Sequence, residues 1–184
     1  MSRPLYFDYD DLKHKLAQPA PKEQVYRAIV DLPFDYRVES AVLYLGIIVL
    51  LLVNKETGMI DRIALSNTEL AKGTTDISVK RFEDIKIPAD YKGDNIIVHA
   101  INTGKPQRTT DWRYLFEPAL TPEEARFNQA GGAIACSVVH PLVNVLDGGA
   151  LIYSYYQYPD KLGRAQRDFM RTYTALVTDR LRTL

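Results

Sequence analysis

The residues best suited to hold a ligand form the loop Asp111-Trp112-Arg113-Tyr114, with Arg108 on the segment before it. Trp112 is the only tryptophan of the chain and stands between two charged residues. An aromatic wall beside a guanidinium suits a carboxylate or another small anion, because the guanidinium offers two parallel hydrogen bonds. The alternative is a set of surface ion pairs around a half-buried tryptophan. We expect Asp111, Trp112, Arg113 and Arg108 to contribute to a ligand pocket.

The histidines and the cysteine do not form a catalytic or metal-binding pattern. His14, His99 and His140 lie far apart in sequence, and Cys136 is the only thiol. The sequence also lacks a Ser/His/Asp arrangement, paired carboxylates and a glycine-rich phosphate loop. We therefore expect no enzymatic activity, no metal and no cofactor. His99 flanks the apolar stripe of a predicted helix, facing either a pocket rim or water, and is kept as a candidate ligand contact.

Four tyrosines cluster near the C-terminal third of the chain. Strand alternation sends Tyr153 and Tyr155 to one face and Tyr156 and Tyr158 to the other. The high β-propensity of tyrosine explains the cluster without any ligand. A pocket lined by Tyr153 and Tyr155 explains it equally well, because tyrosine offers an apolar body and a hydroxyl group. Both interpretations stay open, and these two residues are candidate ligand contacts.

Composition excludes several classes of protein. In 184 residues, 23 basic side chains balance 23 acidic ones, so no overall charge attracts nucleic acid or an anionic membrane. A single cysteine precludes an intrachain disulfide and fits a reducing cytosol. The apolar run 41–53 is thirteen residues long, whereas a membrane-spanning helix needs about 20. With no signal peptide at the N-terminus, the sequence predicts a cytoplasmic protein.

The strongest local signal is the stretch 131–159. Two strand-like runs flank the turn 144–149, which contains Asp147-Gly148, and glycine supplies the positive φ of tight hairpin turns. Both runs are apolar on both faces, as expected for central strands. Two further strands are predicted at 47–53 and 59–65, the latter with Met59, Ile63 and Leu65 on one face and Asp61 and Arg62 on the other.

Helices are predicted from periodicity and from capping residues. A helix from Lys22 is expected to end at Pro33, and a second one to end at Leu45 with Gly46 as its cap. Further helices are expected after the capping box at 66–69, closed by Gly73, over 94–103, over 121–131 and over 162–184. Residues 107–110 are expected to be extended. Strands paired by hairpins, with helices at both ends and between them, predict an α+β fold with an antiparallel sheet between helix layers.

Three segments give this layout a resemblance to the GAF domain, a relative of PAS domains. They are the hairpin 47–58 (IIVLLLVNKETG), the element 97–111 (IVHAINTGKPQRTTD), and the pair of strands 137–143 (SVVHPLV) and 149–153 (GALIY). Ser137 begins the Ser-x-x-x-Pro-Leu motif and is added to the candidate ligand contacts. The resemblance covers roughly residues 22–184. Residues 1–21 are expected to form an N-terminal arm packed loosely on that domain, with a docking segment for a partner as the alternative.

The resemblance implies a central six-stranded antiparallel sheet between terminal helices and middle helices. It also implies a pocket between one sheet face and the middle helices, and frequent homodimerisation through the terminal helices. It implies no particular activity, since one fold serves many ligands.

Three specialised types of GAF domain fit the sequence poorly. Covalent bilin attachment needs a cysteine in the middle helical region, whereas Cys136 lies in a predicted strand. Free methionine sulfoxide reductases of this fold depend on several cysteines, and one thiol forms no intrachain bridge. The cyclic-nucleotide type carries Asn-Lys followed by further motifs, but here Asn54-Lys55 lies in the first hairpin with nothing to complete the pattern.

The sequence thus predicts a stand-alone sensory domain that binds an unidentified small molecule non-covalently. It would signal through homodimerisation or a partner protein. A dimerising scaffold without a ligand is the alternative, and an enzyme of the free methionine sulfoxide reductase type is a more remote one.

Overall fold

The computed structural model describes residues 7–157 and 161–184. In this part of the chain the helices are α1 Tyr9–Leu16, α2 Lys22–Asp35, α3 Arg37–Val42, α4 Glu69–Thr75, α5 Ile96–Thr103, α6 Arg113–Phe116, α7 Pro122–Gly131 and α8 Arg164–Arg182. The strands are β1 Leu45–Asn54, β2 Met59–Leu65, β3 Ile87–Pro88, β4 Gln107–Thr109, β5 Cys136–Pro141 and β6 Gly149–Tyr155.

The six strands form one sheet in the order β3-β2-β1-β6-β5-β4, and every neighbouring pair is antiparallel. The predicted α+β fold with a central six-stranded antiparallel sheet is confirmed. Strand β6 is buried along its whole length, and most of β1 is buried as well. Central strands that are covered on both faces explain why these two segments read as unbroken apolar runs.

Two hydrophobic cores lie on opposite faces of the sheet. The terminal-face core packs α1, α2 and α8 against alternate residues of β1 and β6, such as Ile48 and Tyr153. The middle-face core packs α4 to α7 against the intervening residues, such as Ile47 and Ile152. Successive side chains of a strand point to opposite faces, so each central strand contributes to both cores.

The hairpin of β5 and β6 forms as the sequence predicts. Asp147 and Gly148 adopt φ angles of 61° and 96°, the left-handed conformation that tight turns require. The capping box at the start of α7 is also confirmed: the Thr121 side chain accepts from the Glu124 amide, and the Glu124 side chain accepts from the Thr121 amide.

The expectation of a loosely packed N-terminal arm is wrong for its described residues. Leu12 and Leu16 of α1 are buried in the terminal-face core together with Phe7. The ring of Phe7 stacks on that of Phe169 in α8 with centroids 4.5 Å apart. Helix α1 is therefore part of the layer that covers the sheet.

Pro33 does not end the second helix, which continues to Asp35. A proline inside a helix removes the hydrogen bond to the carbonyl four residues earlier, which here belongs to Ile29. The Tyr173 hydroxyl of α8 donates to that carbonyl at 2.6 Å. Tertiary structure thus replaces the lost bond. Helix α3 ends at Val42, and Tyr44 takes the positive φ of 59° that was expected of Gly46.

Gly73 does not close α4 but lies inside it, and Thr68 rather than Ser66 caps the helix. A side-chain carbon built at Gly73 would lie 2.3 Å from the Gly131 carbonyl oxygen of α7. Both glycines are needed because the two backbones touch at this point. Among the described helices, none is long and apolar enough to cross a membrane.

Candidate functional site

A narrow cavity lies between the sheet and the middle helices, at the position that the resemblance predicts for a pocket. Its volume of about 40 Å³ has room for roughly three water molecules. The sheet supplies apolar side chains and one hydroxyl to the wall, and the helical side supplies aromatic and polar groups. The sheet residues are Ile47, Val49, Arg62, Leu65, Ile152 and Ser154, and Trp112, Leu115, Phe116, Thr74, Ser78 and Asn128 are among those facing them.

Arg62 is the one cation of the sheet that enters this cavity, and it is only 6 % exposed. The register between β1 and β2 shifts where Leu50 pairs with Ala64 and Leu51 pairs with Arg62. Ile63 is left between them without a partner, as in a β-bulge. The bulge reverses the alternation of β2, so Arg62 faces the middle helices before it and Leu65 does so after it.

The guanidinium of Arg62 has few partners for a buried charge. Its hydrogen bond to a described residue runs from Nη1 to the Ile85 carbonyl oxygen at 3.4 Å. Its central carbon lies 4.7 Å from the centroid of the Phe116 ring, within cation–π range. No carboxylate of residues 7–157 and 161–184 forms an ion pair with it. Burial lowers the pKa of Arg62 to about 9, so the group stays charged at neutral pH.

The neighbouring carboxylate, Asp61, points to the other side of β2 and is occupied there. Lys86 Nζ lies 3.5 Å from its Oδ1, and the Asn54 side-chain amide donates to its Oδ2 at 3.2 Å. Asp61 is adjacent to Arg62 in sequence, but in the fold it does not balance the charge of Arg62.

A chain of hydrogen bonds connects Trp112 to the sheet side of the cavity. Trp112 Nε1 donates to Ser137 Oγ at 2.9 Å, and Ser137 Oγ lies 2.7 Å from Ser154 Oγ. Because an indole nitrogen only donates, Ser137 accepts from it and can pass its own hydrogen to Ser154. Ser154 would then keep a hydroxyl hydrogen for a group in the cavity. Of the predicted candidates, Trp112 lines the cavity, and Ser137 lies directly behind the wall.

The helical side of the cavity is held by polar bonds of its own. Asn128 Nδ2 of α7 donates to Ser78 Oγ at 2.9 Å, which ties α7 to the segment after α4. Lys80 at the rim donates to the Ala119 carbonyl oxygen at 2.7 Å. Neither bond involves Arg62, the buried cation of the cavity wall.

The other residues of the predicted loop form an ion pair outside the cavity. Asp111 Oδ2 lies 2.9 Å from Arg126 Nη2, and this guanidinium holds the pKa of Asp111 below its usual range. Asp111 Oδ1 also accepts from the Arg113 backbone amide at 3.0 Å. The Arg113 side chain reaches Glu117 at 3.9 Å. Asp111 and Arg113 therefore hold the loop that positions Trp112, and neither lines the cavity.

Arg108 and His99 lie elsewhere in the fold. Arg108 pairs with Val138 in the β4–β5 ladder, and Val138 belongs to the terminal-face core, so Arg108 lies on the sheet face opposite the cavity. It borders an open surface groove with His140 and Arg171. His99 is exposed on α5 and does not reach the cavity wall.

Tyr153 and Tyr155 share a face, as predicted, but it is the terminal face. Tyr153 is fully buried, its hydroxyl lies 2.8 Å from Thr174 Oγ1, and burial raises its pKa. Tyr155 is equally buried, and its hydroxyl has no hydrogen-bond partner among the described residues. Neither ring lines the cavity, because Ser154 between them takes the position that faces it. Tyr158 lies outside the described residues.

Neither the thiol of Cys136 nor the imidazole of His140 has the surroundings of a catalytic group. Cys136 is buried in the terminal-face core, where desolvation raises the pKa of its thiol. His140 is largely buried, and desolvation lowers its pKa to about 4. Within the described ranges, no three histidine, cysteine, aspartate or glutamate side chains come together as metal ligands.

Sequence reasoning missed Arg62. The predicted alternation of β2 sets Arg62 opposite the apolar residues Met59, Ile63 and Leu65. The burial of Ile60, Arg62 and Ala64 shows the reverse pattern. An arginine inside an apolar strand was the available signal, but only the bulge at Ile63 decides which way it points.

No protein-family model matches the sequence, and no curated protein matches it. Solved structures do match in fold. The GAF domain of a phosphoenolpyruvate-protein phosphotransferase from Coxiella burnetii superposes with a TM-score of 0.63 at 12% identity, over 95% of this chain and 90% of that one. The corresponding domain from Acinetobacter gives 0.61 at 8% identity, over 95% and 90%.

An enzyme has the same fold. Free methionine-R-sulfoxide reductase from Neisseria meningitidis, solved with its substrate, superposes with a TM-score of 0.58 at 10% identity, over 95% of this chain and 86% of that one. At such identities the likeness concerns the fold alone. The sheet order, the two helix layers and these superpositions together establish that this chain has the fold of a GAF domain.

Proposed function

We propose that this protein is a non-enzymatic sensory or regulatory domain that binds a small molecule in the cavity between the sheet and the middle helices. The observation that carries the proposal is the cavity itself. Its walls are mostly apolar, and a few polar groups converge on it from both sides, including Arg62 and Ser154. This combination is typical of small-molecule sites, where apolar area gives affinity and a few polar groups fix orientation.

The names of the structural neighbours support a regulatory role. They include part of a methyl-accepting chemotaxis protein and a domain of a putative two-component sensor histidine kinase from Sinorhizobium meliloti. Signal transduction is the common theme of these proteins, and we extend it to this chain as a proposal.

A reductase of the Neisseria meningitidis type is the enzymatic alternative. Cys136 is the only thiol of the sequence, and it lies on the sheet face opposite the cavity, in the terminal-face core. A thiol whose pKa is raised by burial is a poor nucleophile, since the thiolate is the reactive form. This arrangement favours binding over thiol chemistry.

Ligand occupancy has a direct physical route to the terminal helices. Ile47, Val49 and Ile152 contact the cavity, and the residues that alternate with them pack under α2 and α8. A shift of β1 or β6 that accommodates a ligand therefore changes packing on the far face. We propose that output passes from there to a second copy of the chain or to a partner protein, in the cytoplasm.

Thermal unfolding against a library of metabolites tests the proposal. A molecule that binds only the folded state raises the melting temperature progressively with its concentration. Val49→Phe fills the cavity and should abolish that rise. Val42→Phe makes the same change on α3, where Val42 is 51 % exposed, and should preserve it. A rise that survives Val49→Phe would place the site elsewhere.

Light scattering with and without the stabilising molecule then tests the output. Tight dimerisation without any stabilising molecule would favour the dimerising scaffold instead.

A further inference from the structure

Arg62 is a buried cation whose charge no described residue balances. Taking an unpaired charge out of water is costly, and proteins normally pair such groups with a carboxylate or another anion. Here the neighbouring carboxylate Asp61 is engaged by Lys86 and Asn54 on the other side of the strand. Arg62 itself lines a cavity.

We propose that the ligand of this cavity carries a carboxylate that pairs with the guanidinium of Arg62. The inference rests on the proposed function, because it names the chemical class of the molecule that the cavity holds. The ligand supplies the negative charge that the fold omits, and the protein supplies a planar donor group that matches the two oxygens of a carboxylate.

A single charge and a small size favour a monocarboxylate over a phosphate. Arg62 brings one positive charge, and the side chains around it, such as Ile85, Leu115 and Ile152, are apolar. A phosphate dianion would leave one negative charge buried without compensation. Lys80 at the rim is exposed and already donates to a backbone carbonyl. The cavity volume of about 40 Å³, room for roughly three water molecules, restricts the molecule to a carboxylate of one or two carbons.

The other polar groups of the wall suit the remainder of such a molecule. Ser154 has a hydroxyl hydrogen to offer if Ser137 donates to it, as the bond from Trp112 allows. Asn128 uses its amide nitrogen on Ser78, which leaves its carbonyl oxygen as an acceptor. A short carboxylate with a hydroxyl or keto group would therefore find a second contact.

Titration with formate, acetate and glycolate tests the inference, with acetamide as the neutral analogue of acetate and sodium chloride as the control for ionic strength. Trp112 reports binding by its fluorescence, because it is the only tryptophan and lines the cavity. At least one carboxylate should shift the fluorescence saturably and raise the melting temperature, whereas acetamide should do neither.

Three variants identify the group that is responsible. Arg62→Met should weaken the binding of that carboxylate by at least about tenfold, because it removes a charge-assisted pair of hydrogen bonds. Arg62→Lys keeps the charge and should retain part of the affinity, which separates the loss of the charge from the loss of the planar donor group. Arg164→Met is the matched control, since Arg164 lies on α8 with a side chain that is 89 % exposed, and it should change nothing.

The outcomes separate the inference from the proposed function. If acetamide or another neutral metabolite binds as well as the carboxylates, or if Arg62→Met binds them unchanged, the inference is overturned and the sensory proposal stands. If no compound of the library shifts the melting temperature or the fluorescence, both are overturned.

Discussion

The two faces of the sheet treat their buried polar groups differently. On the terminal face, the Tyr173 hydroxyl donates to the Ile29 carbonyl and the Tyr153 hydroxyl pairs with Thr174. Aromatic rings stack there, as Phe169 does on Tyr173 with centroids 5.5 Å apart. On the middle face, Arg62 keeps a charge without a counter-ion beside an open space.

The difference shows that the two faces of one sheet have different structural roles. Alternate residues of β1 and β6 pack under the terminal helices on one side and form the wall of a cavity on the other. Packing on the terminal face fixes the strands in position, and that rigidity lets the second face leave space and an unpaired group without collapsing. The unpartnered Tyr155 hydroxyl is the exception on the terminal face.

The largest expected effect is on the terminal face. Phe169→Ala should lower the free energy of unfolding by about 3–5 kcal/mol, because it removes a buried ring that stacks on both Phe7 and Tyr173. Urea unfolding monitored by circular dichroism measures the loss. Phe127→Ala on α7 is the control, since that ring is 58 % exposed, and it should stay within about 0.5 kcal/mol of wild type. Equal losses at both positions would contradict the comparison.

The next effect is a pH dependence of the terminal face. The pKa of His140 is lowered from 6.5 to about 4, so the unfolded chain takes up this proton before the folded one does. Stability from this group is complete above pH 6.5 and falls as the pH drops towards 4. Between about pH 7 and pH 4.5, wild type should lose roughly 2–3 kcal/mol more than His140→Gln does. Parallel pH profiles of the two proteins would exclude this role.

A smaller loss is expected where α4 crosses α7 over the cavity. Gly73→Ala places a methyl group against the Gly131 carbonyl oxygen and should cost about 1–3 kcal/mol of unfolding free energy through forced displacement of the helices. Gly58→Ala is not a suitable control because of its positive φ, so Thr75→Ala on the same helix serves instead. If Gly73→Ala is as stable as Thr75→Ala, the helices do not touch as described.

The smallest effect is expected at the surface of α8. Arg164 lies 3.5 Å from Asp168 in an exposed ion pair. Arg164→Met should change the free energy of unfolding by less than about 0.5 kcal/mol, because solvent and salt screen such pairs. Chemical denaturation at low and high salt measures it. A loss comparable to that of Gly73→Ala would show that this face is not simply solvated.

Features governed by neighbouring residues could be predicted from the sequence. The β5–β6 turn follows from Asp147-Gly148, and the start of α7 follows from Thr121-Pro122 with Glu124. Each of these signals acts within a few residues, so the rest of the fold does not alter it. The order of hairpins and helices predicts a sheet between helix layers, and the resemblance to GAF domains adds the number of strands.

Features that depend on distant contacts could not be predicted. Pro33 stays inside α2 because Tyr173, far along the chain, replaces the missing bond. Gly73 resembles a helix end in sequence but serves a crossing with Gly131. Local rules for helix ends therefore fail at positions where a tertiary contact determines the backbone.

The candidate site shows the same limit. The loop around Trp112 and the two tyrosines are both predicted ligand contacts, but the phase of β6 sends Tyr153 and Tyr155 away from the cavity. Arg62 was not predicted as a cavity residue, because the bulge at Ile63 has no sequence mark of its own. Trp112 lines the cavity, and its contact with a ligand stays a prediction.

The central claim is that the fold buries the charge of Arg62 without compensating it. The most direct test is the free energy of unfolding of Arg62→Met, measured by urea denaturation after exhaustive dialysis, with Arg164→Met as the matched control. We expect Arg62→Met to raise the free energy of unfolding by about 1–4 kcal/mol, because an apolar side chain suits the apolar wall better than an unpaired cation does. A decrease would show that Arg62 stabilises the ligand-free protein and that its charge is compensated there.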